Sequence, residues 1–289
     1  MRIKKYLCFV FVFFTVGFAF AQDDLLNQLD TVKTNEKQVE TSAFKALQIC
    51  NMQSTKLPAK GEWYMLVSHR FGDLTQGLDN FFGFDNALTK IGGIYAPLDW
   101  LSLGASRQTY NKTYELTVKY KMANQEKNGF PVTIVGYNTM DINSALKTSQ
   151  YPDLKPVNRF AYSTQLLVSR KFSDKFSLEL APIYVHKNLY DGIFDQKDAF
   201  VLGSGARYKL TKRLSLNLEY AARLSLPEGF TSPYHNPLTA GLDIETGGHV
   251  FQLVFSNCQQ MNDVAVFTNA NGKWNGGGIY FGFNMYRVF

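Results

Sequence analysis

The chain has 289 residues, 45% of them hydrophobic and 19% charged, which is enough for one large domain or two small ones. A net charge of +6 and a pI near 9.0 would fit a nucleic-acid binder. However, Arg2, Lys4 and Lys5 carry three of the six charges within a removable leader, so only +3 remains on the rest, and a nucleic-acid partner is not expected.

That leader is "MRIKKYLCFVFVFFTVGFAFAQ". It has a basic start, an apolar stretch from Tyr6 to about Phe18, and Ala19-Phe20-Ala21 before Gln22. The stretch is too short for a spanning helix and ends in a small-x-small cleavage pattern, so residues 1–21 read as a cleaved secretory signal. Cys8 lies in mid-run, not at the cleavage point as in a lipoprotein. No later segment approaches 18 unbroken apolar residues, so helical membrane spans are not expected. Cys50 and Cys258 remain after cleavage; an exported compartment permits a disulfide, but their wide separation favours two unpaired thiols.

Residues 22–58 form a polar N-terminal arm or plug segment, with Leu25, Leu26 and Leu29 in an otherwise polar opening and "AFKALQIC" at 43–50. From 59 to 289 the chain alternates. In "KTYELTVKYKM", Tyr114, Leu116, Val118, Tyr120 and Met122 share one face, opposed by Glu115, Thr117, Lys119 and Lys121. "RLSLNLEYAAR" and "PLTAGLDIET" repeat the pattern. Period-two alternation over about nine residues defines a strand with one dry and one wet face. Weaker copies lie at 63–71, 89–95, 101–107, 132–139, 159–169, 176–184, 200–208, 251–256 and 279–289, giving twelve strands.

Short connections ("APLDW", "LTKR", "TGGH") alternate with long ones such as "DINSALKTSQYPDLKPVN" and "NCQQMNDVAVFTNANGKWNGGG". Short turns on one rim and long loops on the other describe an all-β, transmembrane, antiparallel up-and-down barrel of about twelve strands, with the short turns periplasmic. A soluble β-sandwich also alternates, but its wet faces carry many long charged side chains. Here Gly92, Ser102, Gly104, Ser106, Ser163, Gly203 and Gly205 populate the wet face, as suits a crowded lumen. The aromatic positions agree. Tyr95, Trp100, Tyr120, Phe176 and Tyr208 fall near the periplasmic ends of the dry faces, and Tyr114, Phe160, Tyr162, Tyr184, Phe200 and Tyr220 near the outer ends. Two such girdles flanking an apolar band are what a bilayer selects.

The closing strand "IYFGFNMYRVF" places Phe281, Phe283, Met285 and Phe289 on the outward row, where they read as a membrane-insertion signal for the outer-membrane assembly machinery. Both ends of the wall should be periplasmic, so 63–71 is the first span and 43–50 stays at the rim or enters the lumen.

"FKALQI", "LVSHRFGDL", "KTYELTVKYK", "SRKFSDKFSLELAPIYVHKNL", "GARYKLTKRLSLNLEY", "DIETGGHVFQLVFSN" and "FGFNMYRVF" together resemble an outer-membrane β-barrel family of Bacteroidota catalogued as a domain of unknown function. The likeness runs from about Thr41 onward, with "DIETGGHVFQL" its most specific piece, and it implies an outer-membrane barrel without implying a substrate or catalytic residues.

The lumen face is expected to carry Lys90, Glu115, Lys119, Lys121, Arg159, Glu179, Arg207, Lys209, Glu219, Asp243 and Glu245. Six positive and five negative charges are not a one-sign selectivity ring; they either pair across a nearly closed interior or line a wet pore. His69 and His186 have lipid-face parity near the outer strand ends, the height at which an outer-membrane phospholipase holds Ser and His on its exterior. Ser68 and Ser169 lie on the opposite faces of their strands, which argues against a Ser–His pair. His249 reads as a rim residue, and Asp191, Asp195 and Asp198 as a solvated loop. No zinc spacing, haem motif or phosphate loop occurs, so neither cofactor nor metal is expected. The leading expectation is a porin-like channel or small-solute transporter in the outer membrane. A sealed structural or surface-binding barrel acting through its long loops is the alternative, and an enzyme comes third.

Overall fold

The computed structural model describes residues 38–224, 232–247 and 249–289; the leader at 1–21 and the arm up to residue 37 lie outside the described residues. Twelve strands close into one antiparallel barrel: β1 (Trp63–Asp73), β2 (Leu88–Leu98), β3 (Leu101–Gln108), β4 (Thr113–Ala123), β5 (Thr133–Asn143), β6 (Phe160–Lys171), β7 (Phe176–Lys187), β8 (Asp198–Lys209), β9 (Leu214–Arg223), β10 (Leu238–Thr246), β11 (His249–Ser256) and β12 (Tyr280–Val288). Neighbours in sequence are neighbours in the sheet, and β1 meets β12 at a seam with Val67 opposite Met285. Closure leaves no unpaired edge, which hydrocarbon would not tolerate.

The outer surface follows the period-two reading. Along β9, Leu216, Leu218 and Tyr220 are exposed, while Ser215, Asn217 and Glu219 are buried. At the seam Trp63 stacks on Phe289 at 4.2 Å between ring centroids, which fastens the first strand to the last. Connection lengths alternate with two exceptions. The β3–β4 link on the long-loop rim has only the four residues 109–112, and the β4–β5 link on the short-turn rim has nine, 124–132.

The inner surface carries the expected small residues, among them Ser102, Ser163, Gly203 and Gly205, but also an apolar portion. On β5 to β9 it carries Val135, Tyr137, Leu167, Ala181, Ile183, Val185, Val201 and Ala221, all buried. They pack around two inserts that fill the barrel. The first, residues 43–57, rises from the short-turn rim, turns at Cys50-Asn51 and returns to β1; Ile49 N donates to Met52 O at 2.8 Å and Ser54 N to Leu47 O at 3.1 Å. The second is the β11–β12 connection, 257–279. It does not stay outside as a long loop. It dips inward and forms a short helix, α1 (Asp263–Thr268), buried at every position. Met52 and Leu57 of the first insert and Val264, Val266 and Phe267 of the second join the same apolar cluster.

Candidate functional site

The barrel interior is the candidate site, and the hairpin at 43–57 is its centre. An extended hairpin inside a wall has no sheet partner for most of its amides and carbonyls, and each must find one or cost free energy. Side chains from the wall supply them. The Glu219 carboxylate accepts the backbone N–H groups of Cys50, Asn51 and Met52 at 3.0, 2.9 and 2.9 Å. Glu179 accepts that of Thr55 at 3.0 Å. On the carbonyl side, Lys119 Nζ donates to Leu47 O and Ser54 O at 3.0 and 3.1 Å. Gln252 donates to Ile49 O at 2.9 Å and Asn284 to Cys50 O at 2.7 Å. The Arg70 guanidinium reaches Asn51 Oδ1 at 2.8 Å, and the Tyr286 hydroxyl donates to Gln48 Oε1.

Four of the remaining charges pair among themselves. Lys90 Nζ lies 2.6 Å from Glu115 Oε1 and also donates to Met261 O at 3.0 Å, so it ties the wall to the second insert. Arg207 pairs with Glu245 at 2.9 Å, and Lys45 of the first insert approaches the same carboxylate at 3.6 Å. Asp243 accepts from Asn217 and Gln252. Lys121 and Lys209 are half-buried near the short-turn rim. Arg159, expected inside a strand, instead closes the 3-10 turn Pro156–Arg159 at the opposite mouth, because Pro156 starts a helical turn just ahead of β6. The two wall ion pairs each join strands two apart on one side of the barrel, β2 to β4 and β8 to β10, while Lys119, Glu179 and Glu219 turn to the hairpin.

Burial raises the Cys50 thiol pKa well above its ordinary value, with Glu219 and Asp243 adding to the effect, and pushes Cys258 up to about 12. Both cysteines are free and buried. Asp263 on α1 is pushed up to about 7, by burial first and the nearby Glu115 second. Between the hairpin and β2 to β4 the remaining cavity is about 30 Å³, room for one water. A larger cavity of about 170 Å³ opens at the outer mouth, where β5, β6 and β7 meet the second insert.

The parity reading omitted Arg70, Asp141, Asn284 and Gln252, all buried on the inner face. Arg70 shares parity with Ser68 and was findable. The inner face of β1 also carries Tyr64 and Leu66, however, which blurs the alternation there. The expected outward row Phe281, Phe283 and Met285 is half-buried and Phe289 exposed, while Asn284 between them points to the hairpin. Of the aromatic girdle, Tyr95, Trp100, Tyr114, Tyr162, Phe176, Tyr184, Phe200, Tyr208 and Tyr220 are exposed on the outer wall, and Tyr120 and Phe160 half-buried. His69 donates to or accepts from Thr89 at 2.9 Å. His186 Nδ1 lies 2.7 Å from Asp198, but its Nε2, where a nucleophile would sit, meets Asn188 at 3.1 Å. Among the described residues no group of three His, Cys, Asp or Glu side chains is arranged to hold a metal ion.

A closed antiparallel barrel with an apolar, aromatic-banded exterior and a polar grip inside is a membrane-embedded β-barrel. Residues 44–289 match the family described as a membrane bound beta barrel domain (DUF5777), and the chain belongs to that family. No curated protein matches. Similar solved structures include the KdgM porin, at 9% identity and a TM-score of 0.49 over 78% of this chain and 99% of that one. The outer membrane protein Omp33 of Acinetobacter baumannii is similar at 12% identity and 0.42, over 80% and 98%. Outer membrane phospholipase A of Escherichia coli is similar at 11% and 0.39, over 81% and 94%. No functional residue is carried across from them.

Proposed function

We propose that the protein is an outer-membrane, porin-like channel for a small solute, held shut by the hairpin at 43–57 and the inward β11–β12 connection. The carrying observation is how the hairpin is held. Its backbone rests on side chains of the wall, Glu219, Glu179, Lys119, Gln252 and Asn284, and not on a continuous sheet. Side-chain bonds of this kind exchange for water when the segment withdraws, and the faces left behind on β1 to β4 and β9 to β12 are mixed, with Arg70, Lys90, Glu115, Lys119, Glu219 and Asp243 beside an apolar patch of Tyr64, Leu66, Ile94, Val250 and Tyr286. Mixed charge on those faces favours no strong ion selectivity.

The resemblance to a Bacteroidota barrel family supports an outer-membrane address, reached through the leader at 1–21. Insertion by the assembly machinery fits the outward row ending in Phe289. The sealed-barrel reading draws on the apolar cluster shared by the two inserts. Single-channel recording in planar bilayers separates the two. The channel reading expects brief, rare openings in the wild type and sustained conductance in Glu219→Ala. Silence in both, with folded protein in the bilayer, refutes it in favour of the sealed barrel.

A further inference from the structure

The outer wall is hollowed over β7 to β9 by a groove of about 670 Å³. On β8 the outward row narrows to the small Ser204 and Ala206, while Leu178 and Leu180 of β7 and Leu218 and Tyr220 of β9 stand opposite them as banks. Ser204 Oγ donates to Tyr220 O at 3.2 Å, so its hydroxyl is turned to the backbone and the floor is apolar. From Leu178 to Pro182 the groove follows β7 for four residues, about 13 Å at ~3.3 Å each. One leaflet offers about half of a ~30 Å hydrocarbon core, so the groove has the length of one leaflet's chains.

At the short-turn rim the groove ends on a cation. Arg170 belongs to the outward row of β6, stands opposite Leu178 and is exposed. Its guanidinium lies over the Phe172 ring, with Cζ 5.0 Å from the centroid, and among the described residues it joins no hydrogen bond or ion pair. Lys171 beside it already pairs with Glu40 and Asp174, each at 3.0 Å. The rim around the groove is one-signed. Residues 170–175 and 209–213 hold six basic side chains against one acid, whereas the β2–β3 turn carries Asp99 and the β4–β5 link balances Glu126 with Lys127. A cation on a lipid-facing row, at the rim and without a counter-ion, calls for an anion at headgroup depth.

An apolar groove one leaflet long that ends on a free guanidinium matches the two halves of one molecule. We infer that this sector of the wall binds a single phospholipid of net negative charge from the leaflet at the short-turn rim, which is periplasmic in barrels of this class. Its phosphate accepts from the Arg170 fork, and one acyl chain lies on Ser204 and Ala206 between β7 and β9. Lys175, Lys212 and Arg213, exposed on the two adjoining turns, favour an anionic headgroup over a zwitterionic one. The site is outside the barrel and independent of whether the lumen conducts.

The test is native mass spectrometry of the folded full-length barrel, released from detergent after titration with dioleoyl-phosphatidylglycerol or dioleoyl-phosphatidylcholine. The two lipids share their chains and differ in headgroup. One phosphatidylglycerol should be retained about tenfold or more tightly than phosphatidylcholine, as charge-assisted hydrogen bonds to phosphate and a basic rim require. Arg170→Gln should remove most of that preference. Ala206→Phe, which fills the floor, should weaken both lipids about tenfold, whereas Leu116→Phe, at an exposed position on β4, should change neither. If Ala206→Phe gives no heat-modifiable folded band, Ser204→Leu is read in its place. Equal retention of the two lipids by the wild type overturns the assignment. So does a preference that Arg170→Gln leaves intact, or retention that the filled groove leaves intact or that Leu116→Phe lowers as much. A two-copy mass that Ala206→Phe reduces to one copy overturns it in favour of an interface between barrels.

Discussion

Glu219→Ala tests the grip on the hairpin directly. In the wild type one carboxylate, 3% exposed, accepts three consecutive backbone N–H groups within 3.0 Å. Alanine strands all three. A buried donor without an acceptor costs about 1–3 kcal/mol, which would give roughly 3–9 kcal/mol if the three were independent. They share two oxygens and move as one turn, so their effects do not add. Removing a buried carboxylate also relieves its own desolvation, which works in the other direction. About 3 kcal/mol is the working figure, and at 1.4 kcal/mol per tenfold it shifts hairpin release by somewhat more than a hundredfold. Hydrogen exchange at 47–55, followed by mass spectrometry on folded barrel, reads that shift. These amides should speed up together by about two decades in Glu219→Ala and less in Glu219→Gln, whose carbonyl oxygen still accepts. Unchanged protection in a folded Glu219→Ala barrel would refute the argument that this carboxylate holds the turn.

Three further outcomes follow from other parts of the molecule. Leu216 is exposed in mid-strand on the outer wall, so Leu216→Arg should cost about 2–4 kcal/mol and lower refolding yield into vesicles, with Leu216→Ala as control; equal yields would contradict the lipid-facing assignment of β9. Phe289→Ala removes the stacked partner of Trp63 and should weaken the seam by about 0.5–1.5 kcal/mol, seen as earlier loss of the heat-modifiable band. Asp263 has a folded-state pKa raised above its unfolded value, so its contribution is fully present below about pH 4 and is lost as pH rises toward about 7. Raising pH from 5 to 8 should therefore loosen the second insert, read as exchange at 263–268, and Asp263→Asn should flatten that dependence; a pH response unchanged in the variant would count against it.

The strand count was legible because the outer face alone is enough to reveal period two. Leu216, Leu218 and Tyr220 alternate whatever their inward neighbours are. The content of the lumen was not, because it depends on which residues the barrel's register brings opposite the hairpin. Glu219 and Cys50 are 169 positions apart, and nothing local to either announces their bond. Inner positions such as Val135 and Ile183 are apolar because they pack on the inserts, so over these stretches of β5 and β7 both faces are apolar and alternation fades. The helix α1 has six residues, too few for a 3.6-residue period to show in "DVAVFT". Arg159 was displaced by the preceding Pro156, whose preference for the first helical turn outweighed the strand pattern that follows it.

How closely the hairpin lies against the wall gives the last test. Three inward positions on β8 and β10 are glycine, and a Cβ at each would meet one hairpin side chain: Gly203 the Cε of Met52, Gly205 the Cδ1 of Ile49, and Gly241 the Sγ of Cys50. The three differ in how readily the neighbour yields. Met52 has three rotatable bonds and swings its terminal methyl aside, whereas Cys50 has only χ1 and the Gly241 site is also bounded by Leu253 O at 3.2 Å. Overpacking costs about 1–3 kcal/mol where no relaxation is available. Replacing a strand glycine returns about 0.5–1 kcal/mol through the unfolded chain at every site equally. Gly241→Ala should therefore loosen the hairpin most and Gly203→Ala least, ranked by exchange at 47–55. The pairing can be isolated, because the Cβ of Cys50 would lie at an ordinary 3.8 Å from the new methyl. Adding Cys50→Ala to Gly241→Ala removes the clashing sulfur and should restore protection. Equal loosening at 203 and 241, or a double variant as loose as Gly241→Ala alone, would show that the turn is not seated against β10 in this way.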